Sequence, residues 1–253
     1  MLQSVNDLKG YSIVATNGEI GNIEEFYFDD EKMTVRYLVA NTGNWLTGMQ
    51  NLISPQAITH LDRDTHKIRV ALTKEQVVNS PGIDKHQPVS RQMEAIVSDY
   101  YGDSMHYWDA RPDLTAEQLA AANATAAVVK SGGDAGVAAA APAPDVHLRS
   151  MQEVATYHIA ANDGGVGEVE DFIVETDDWT IRYLAVDTGN WLPGKHVLIS
   201  TLWLGQINWA HEKVNVNLTR GQIENSPDYD KVKQISREYE TRLHEHYGYK
   251  TRI

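Results

Sequence analysis

The chain contains no cysteine. Disulfides, thiolate metal sites and cysteine nucleophiles are thereby excluded, and nothing points to an oxidising compartment. Long apolar runs are also missing, since none approaches the roughly 20 residues that a membrane-spanning helix needs. The opening Met1-Leu2-Gln3-Ser4-Val5-Asn6-Asp7 has neither the basic start nor the apolar centre of a targeting segment. A cytoplasmic protein without a membrane span is the expectation. Positive charge is scarce as well: 22 Lys and Arg stand against 35 Asp and Glu, a net charge of −13. Such a surface repels a phosphate backbone at long range, which counts against direct nucleic-acid binding.

What the chain does have is a repeat. Residues 18–102 and 164–248 align at a constant offset of 146 without a gap, with roughly a third of the positions identical. Gly18, Gly21, Glu24 and Phe26 recur as Gly164, Gly167, Glu170 and Phe172. Thr34-x-Arg36-Tyr37-Leu38 recurs as Thr180-x-Arg182-Tyr183-Leu184, and Thr42-Gly43-Asn44-Trp45-Leu46-x-Gly48 as Thr188-Gly189-Asn190-Trp191-Leu192-x-Gly194. Asn79-Ser80-Pro81 and Asn225-Ser226-Pro227 follow, then Ser90-Arg91 and Ser236-Arg237. The period is too long for a solenoid unit, so each copy is expected to be a small domain of about 100 residues with its own core.

Hydrophobic spacing makes each copy mainly β. Tyr11–Ala15 precedes the Asn17-Gly18 turn signal, and Glu19–Phe28 follows in broken alternation. Gly21 and Gly167 sit inside that second strand, where glycine marks a bulge or a place where two backbones approach. Met33–Asn41 and Trp179–Asp187 end apolar on both sides, as an enclosed strand does. Asp62-Arg63-Asp64-Thr65 separates two further strands. Thr73-x-x-Gln76 and Thr219-x-x-Gln222 read as capping boxes for a short helix. Ser90 and Ser236 should cap a second helix running to Tyr101 and Tyr247, closed by Gly102 and Gly248. Between the copies, 103–149 has a different composition. An Ala-rich helix from Thr115 to Val129 is expected, followed by a stretch too poor in apolar surface to order itself. As a coil it would reach about 35–40 Å, against a domain radius of about 13 Å, so it does not dictate how the copies meet.

Gly18-x-x-Gly21-x-Ile23-Glu24-Glu25-Phe26, its counterpart from Gly164 to Phe172, and the following Arg-Tyr-Leu strand resemble the PRC-barrel family. That family includes the cytoplasmic part of the photosynthetic reaction-centre H subunit and a domain of a ribosome maturation factor. The Thr-Gly-Asn-Trp-Leu-x-Gly, Asn-Ser-Pro and Ser-Arg segments are similar to its bacterial stand-alone branch. The resemblance implies a mainly β chain with short helices. Two small barrels, 1–102 and 150–253, would each be followed by two short α-helices, with 103–149 as linker. It further implies modules that dock onto a protein partner and perform no chemistry.

Histidines do not repeat: His60 faces Gln206, His66 faces Glu212, His196 faces Gln50 and His211 faces Thr65. The dense His244-Glu245-His246 cluster lacks the spacing of three or four that chelation from one helix face needs, and reads as a solvated face. Glu24 and Glu25 are neighbours on a strand and point to opposite sides. Arg91 with Glu94, and Arg237 with Glu240, have the spacing of a surface ion pair on a helix. Asn44, Trp45, Leu46, Asn190, Trp191 and Leu192 are the candidate interaction residues, because tryptophan gives large contact area at low entropic cost. The competing reading is a tryptophan that plugs its own domain or the contact between repeats. Gly21, Gly167, Arg36, Arg182, Tyr37 and Tyr183 read as structural, with the arginines expected to find an aromatic or carboxylate partner inside the domain. Tyr100, Tyr101, Tyr107 and Trp108 lie among acidic residues, a poor platform for nucleic acid. No catalytic residue, metal or cofactor is expected. The sequence reading is therefore a non-enzymatic binding or scaffold protein whose repeats pair within the chain, with a homo-oligomer as a further option. The alternatives are a ribosome-assembly or RNA-metabolism accessory, a photosynthetic accessory and a hydrolase using His244, His246 or a nearby acid.

Overall fold

The computed structural model describes residues 1–43, 49–80, 82–84, 147–231 and 233–248. The expected helix after Ser90, the linker helix from Thr115 and the aromatic cluster around Tyr107 lie outside the described residues. The first repeat runs β1 (Leu2–Ser4), α1 (Val5–Leu8), β2 (Ser12–Ala15), β3 (Gly18–Asp29), β4 (Thr34–Asn41), β5 (Met49–Ile53), β6 (Ile58–Asp62), β7 (Lys67–Val70), α2 (Lys74–Val78) and β8 (Gly82–Asp84). The second runs β9 (Leu148–Ser150), α3 (Met151–Val154), β10 (His158–Ala161), β11 (Gly164–Glu175), β12 (Thr180–Asp187), β13 (His196–Ser200), β14 (Leu204–Asn208), β15 (Lys213–Val216), α4 (Arg220–Glu224) and α5 (Arg237–His246).

Local chemistry explains the boundaries. Both capping boxes form: the Thr73 and Thr219 side chains accept from the Gln76 and Gln222 amides, and each glutamine side chain returns the bond to the cap's backbone. Ser236 caps α5, and Gly248 follows Tyr247 at φ +76°. The strand expected from Met33 begins at Thr34 instead, because Met33 turns at φ 50°, as Trp179 does at φ 57°.

The chain divides into two compact units, and they draw on the repeats unequally. Unit 1 comprises Met1–Gly10, Glu25–Arg36 and Arg149–Ile253; unit 2 comprises Tyr11–Glu24 and Tyr37–Leu148. In unit 2, β2 pairs antiparallel with β3 and parallel with β7, β6 hairpins onto β7, and β5 joins β4 to β8. Leu38, Val39 and Ala40 are all buried, as an enclosed strand requires. In unit 1, β11 lies between β12 on one side and β10 with β1 on the other, β13 adds to β12, and β15 pairs parallel with β10 and antiparallel with β14. The protein is thus mainly β with a few short helices. Among the described residues the strand path does not close into a ring in either unit, since β6 and β14 end it.

Candidate binding cleft

The cleft is built on a close crossing of backbones. A Cβ placed on Gly167 would stand 1.9 Å from the Asp187 carbonyl oxygen, and one on Gly21 would stand 1.9 Å from that of Asn41. Only a residue without a side chain lets these strands approach so closely. Past that crossing, β12 runs into the Thr188–Lys195 loop. The buried Thr188 hydroxyl contacts the carbonyls of Leu192 (2.7 Å) and Lys195 (2.8 Å), and the Trp191 amide donates to the Thr188 carbonyl at 3.1 Å. Asp187 Oδ1 accepts from the Gly189 amide at 2.8 Å, where φ of +54° favours glycine. Lys195 Nζ reaches the carbonyls of Glu224 (2.6 Å) and Ser226 (2.8 Å), which ties the loop to the end of α4.

The loop therefore presents Trp191 from a fixed backbone. Its ring is half-buried under the Arg220 guanidinium, 4.5 Å from the ring centroid, a cation–π contact. Trp191, Asn190, Asp187, Gly167, Glu168 and His158 line a cleft of about 420 Å³. Glu168 and His158 face each other at 3.2 Å, both more than half exposed. An exposed pair of this kind is worth little to stability and leaves both polar groups accessible. The cleft offers an aromatic edge, two carboxylates and an imidazole, and no activated nucleophile. It suits binding.

Of the candidate interaction residues, Asn190 is exposed and Trp191 and Leu192 are half-buried. Asn44, Trp45 and Leu46 lie outside the described residues. Tyr37 and Tyr183 are buried. Arg36 finds its carboxylate, since its Nη1 meets Asp29 Oδ2 at 3.0 Å with both side chains 3% exposed or less. Arg182 is half-buried. The charged cleft residues escaped the sequence reading because they are not repeated: Glu168, Asp187 and His158 face Asn22, Asn41 and Ser12 at the offset. A charge replacing an amide in one copy alone was the available signal.

Two expectations about α5 are corrected. Glu240 accepts from the Tyr183 hydroxyl at 2.7 Å, so the partner anticipated for it in Arg237 is replaced by a tyrosine of β12. His244 is no part of a solvated face: it is buried, with Nε2 3.0 Å from the same hydroxyl and the ring against Trp203. The hydroxyl's one proton goes to Glu240, so Nε2 carries the imidazole hydrogen and donates to Tyr183. Desolvation lowers the His244 pKa, opposed by Glu240 and aided by Arg182. Burial, helped by Glu240, raises that of Tyr183. His246 instead meets the Gln222 carbonyl at 2.7 Å. Among the described residues, no group of three or more metal-binding side chains gathers, and no helix is long and apolar enough to cross a membrane.

Asp171 carries the opposite sign. Burial raises its pKa to about 6, outweighing the Ser4 hydroxyl and the amides of Phe172 and Asn6, all of which donate to the carboxylate. A folded pKa above the unfolded value means that stability is gained as pH falls through about 6, up to about 3 kcal/mol at 1.36 kcal/mol per unit. For His244, with its folded pKa below the unfolded value, stability is lost as pH falls through 6.5. Urea denaturation at pH 7 and pH 5 should separate them. Asp171→Asn is expected to lose more stability than wild type over that interval, and His244→Phe less. Parallel pH profiles for all three proteins would refute the assignment.

A family model for the PRC-barrel domain matches residues 3–77 and 159–223. No curated protein matches the chain.

Proposed function

Because the chain belongs to the PRC-barrel family, we propose that it is a non-enzymatic binding protein whose repeats dock a protein partner. On this reading each repeat is a small barrel followed by two short helices, working in the cytoplasm without metal or cofactor. The observation that carries the proposal is Trp191 on a loop fixed at both ends, rimming a cleft of about 420 Å³. Aromatic anchors on rigid backbones lose little entropy on binding and dominate interface energetics. Glu168 and Asp187 give the cleft a negative rim, so a partner segment bearing Lys or Arg fits it by charge.

Affinity capture with the wild-type protein, set beside Trp191→Ala and Trp45→Ala, tests this. A hot-spot tryptophan costs about 2 kcal/mol or more on truncation, roughly a 30-fold loss of affinity. A captured protein should therefore disappear with Trp191→Ala, and its retention should weaken as salt rises. Equal capture by wild type and both variants would end the proposal. Turnover of a substrate by the purified chain, abolished in a His244 variant, would replace it with the hydrolase reading.

A further inference from the structure

Unit 1 contains a set of contacts that come in reciprocal pairs. At the offset of 146, Ser4 corresponds to Ser150 and Glu25 to Asp171. The Ser4 hydroxyl donates to the Asp171 carboxylate, and the Ser150 hydroxyl donates to the Glu25 carboxylate. Val35 corresponds to Ile181 and Met33 to Trp179. The Val35 amide donates to the Trp179 carbonyl at 2.9 Å, and the Ile181 amide to the Met33 carbonyl at 2.7 Å. Thr34 pairs with Thr180, its own counterpart. When i touches j′, j touches i′ and one residue meets its own equivalent, the interface is isologous, the kind that two identical copies form about a twofold axis.

The serines sit on short arms that have little to bury against by themselves. Met1–Gly10 contributes three residues of β1 and one turn of α1, yet Val5 and Leu8 are 1% and 0% exposed. The arm gains its partners from the other repeat: Leu2, Gln3 and Ser4 pair with Glu175, Val174 and Ile173, and the Asn6 side chain donates to the Glu170 carbonyl at 3.1 Å. Gly10, at φ +82°, ends the arm where the chain turns back to its own repeat. The second arm follows the same pattern in α3, whose Met151 and Val154 are buried, with β9 pairing with β3. Phe28 against Phe172, ring centroids 5.5 Å apart, fills the space between the two hairpins.

We infer that the chain is an internal homodimer: two copies of one arm-exchanging module whose mutual interface is complete without the linker, and whose fitting partner is a second copy of the same repeat. The linker raises the effective concentration of one half for the other, and every reciprocal contact named above lies among the described residues. This inference stands independently of the Trp191 cleft.

Two measurements on the full chain test it. A protease site placed at Gly133 is cut after folding, and the product is run on size exclusion with light scattering. The two fragments should elute together at the intact mass at 1–10 µM, concentrations about a hundred- to a thousandfold below the millimolar range a tether supplies. Because the chain lacks cysteine, a Thr34→Cys, Thr180→Cys variant places its only two thiols at the self-paired position. Mild oxidation followed by cleavage should leave the fragments covalently joined until reductant is added. Oxidised dimers of the uncut chain would be the same interface formed between two copies. Fragments that separate at 10 µM, or thiols that never join, would overturn the inference.

Discussion

Asp29→Ala is expected to lower the free energy of unfolding by about 3–5 kcal/mol, the usual cost of removing one partner of a buried ion pair. Asp29 Oδ2 meets Arg36 Nη1 at 3.0 Å while its Oδ1 accepts from the amides of Glu31 and Lys32, each at 3.0 Å. The substitution therefore takes a carboxylate away from a guanidinium that is 3% exposed and undoes the turn that starts β4. Part of the loss is electrostatic, because a buried guanidinium loses one of its ion-pair contacts. The double variant Asp29→Ala, Arg36→Met should accordingly recover a large part of it, since apolar replacement of a buried pair is often near neutral. Urea denaturation of the three proteins decides the matter. A single-variant loss under about 1 kcal/mol, or no recovery in the double variant, would show that the pair is better solvated than its burial indicates.

Gly167→Ala is the second large effect. A methyl group 1.9 Å from the Asp187 carbonyl oxygen and 2.8 Å from Thr188 Cα cannot be absorbed by a rotamer change, because both obstacles are backbone. Strands β11 and β12 have to part, and overpacking of this severity costs about 3 kcal/mol, a drop of roughly 6–12 °C in melting temperature at the usual 2–4 °C per kcal/mol. Gly165→Ala supplies the control on the same strand, with no atom within 4 Å of its new methyl; it should stay within about 0.5 kcal/mol of wild type. Because Trp191 hangs from the loop that leaves this crossing, its fluorescence should shift in Gly167→Ala and not in Gly165→Ala. Equal melting temperatures for the two variants would mean that the crossing is looser than the distances state.

Much of the architecture is legible in the sequence. Alternation around Ile13, Phe26 and Ile68, the capping boxes at Thr73 and Thr219 and the misplaced glycines at 21 and 167 all act through near neighbours in sequence, so they leave a local trace. The cleft was half legible. Trp191 stands out because it repeats as Trp45, whereas Glu168, Asp187 and His158 have no counterpart of their own kind in the first repeat. His244 was misread for a related reason: its burial depends on Tyr183 and Trp203, 61 and 41 positions away, and spacing along one helix cannot reveal what stands opposite.

The amino-acid sequence alone determined that an ancestral β module was duplicated, roughly where its strands and the capping boxes at Thr73 and Thr219 fall, and that Gly21 and Gly167 mark a bulge or a close backbone approach. Those properties are set by side-chain periodicity and backbone sterics over a few residues. Which half of the chain each segment belongs to was decided only in three dimensions. Met1–Gly10 and Glu25–Arg36 fold with Arg149–Ile253 and leave the rest of their own repeat in unit 2. An arm of ten residues buries Val5 and Leu8 on whichever strand edge offers complementary groups, and a contact across more than 160 positions of chain, such as Ser4 with Asp171, is a matter of shape and proximity that no local pattern encodes.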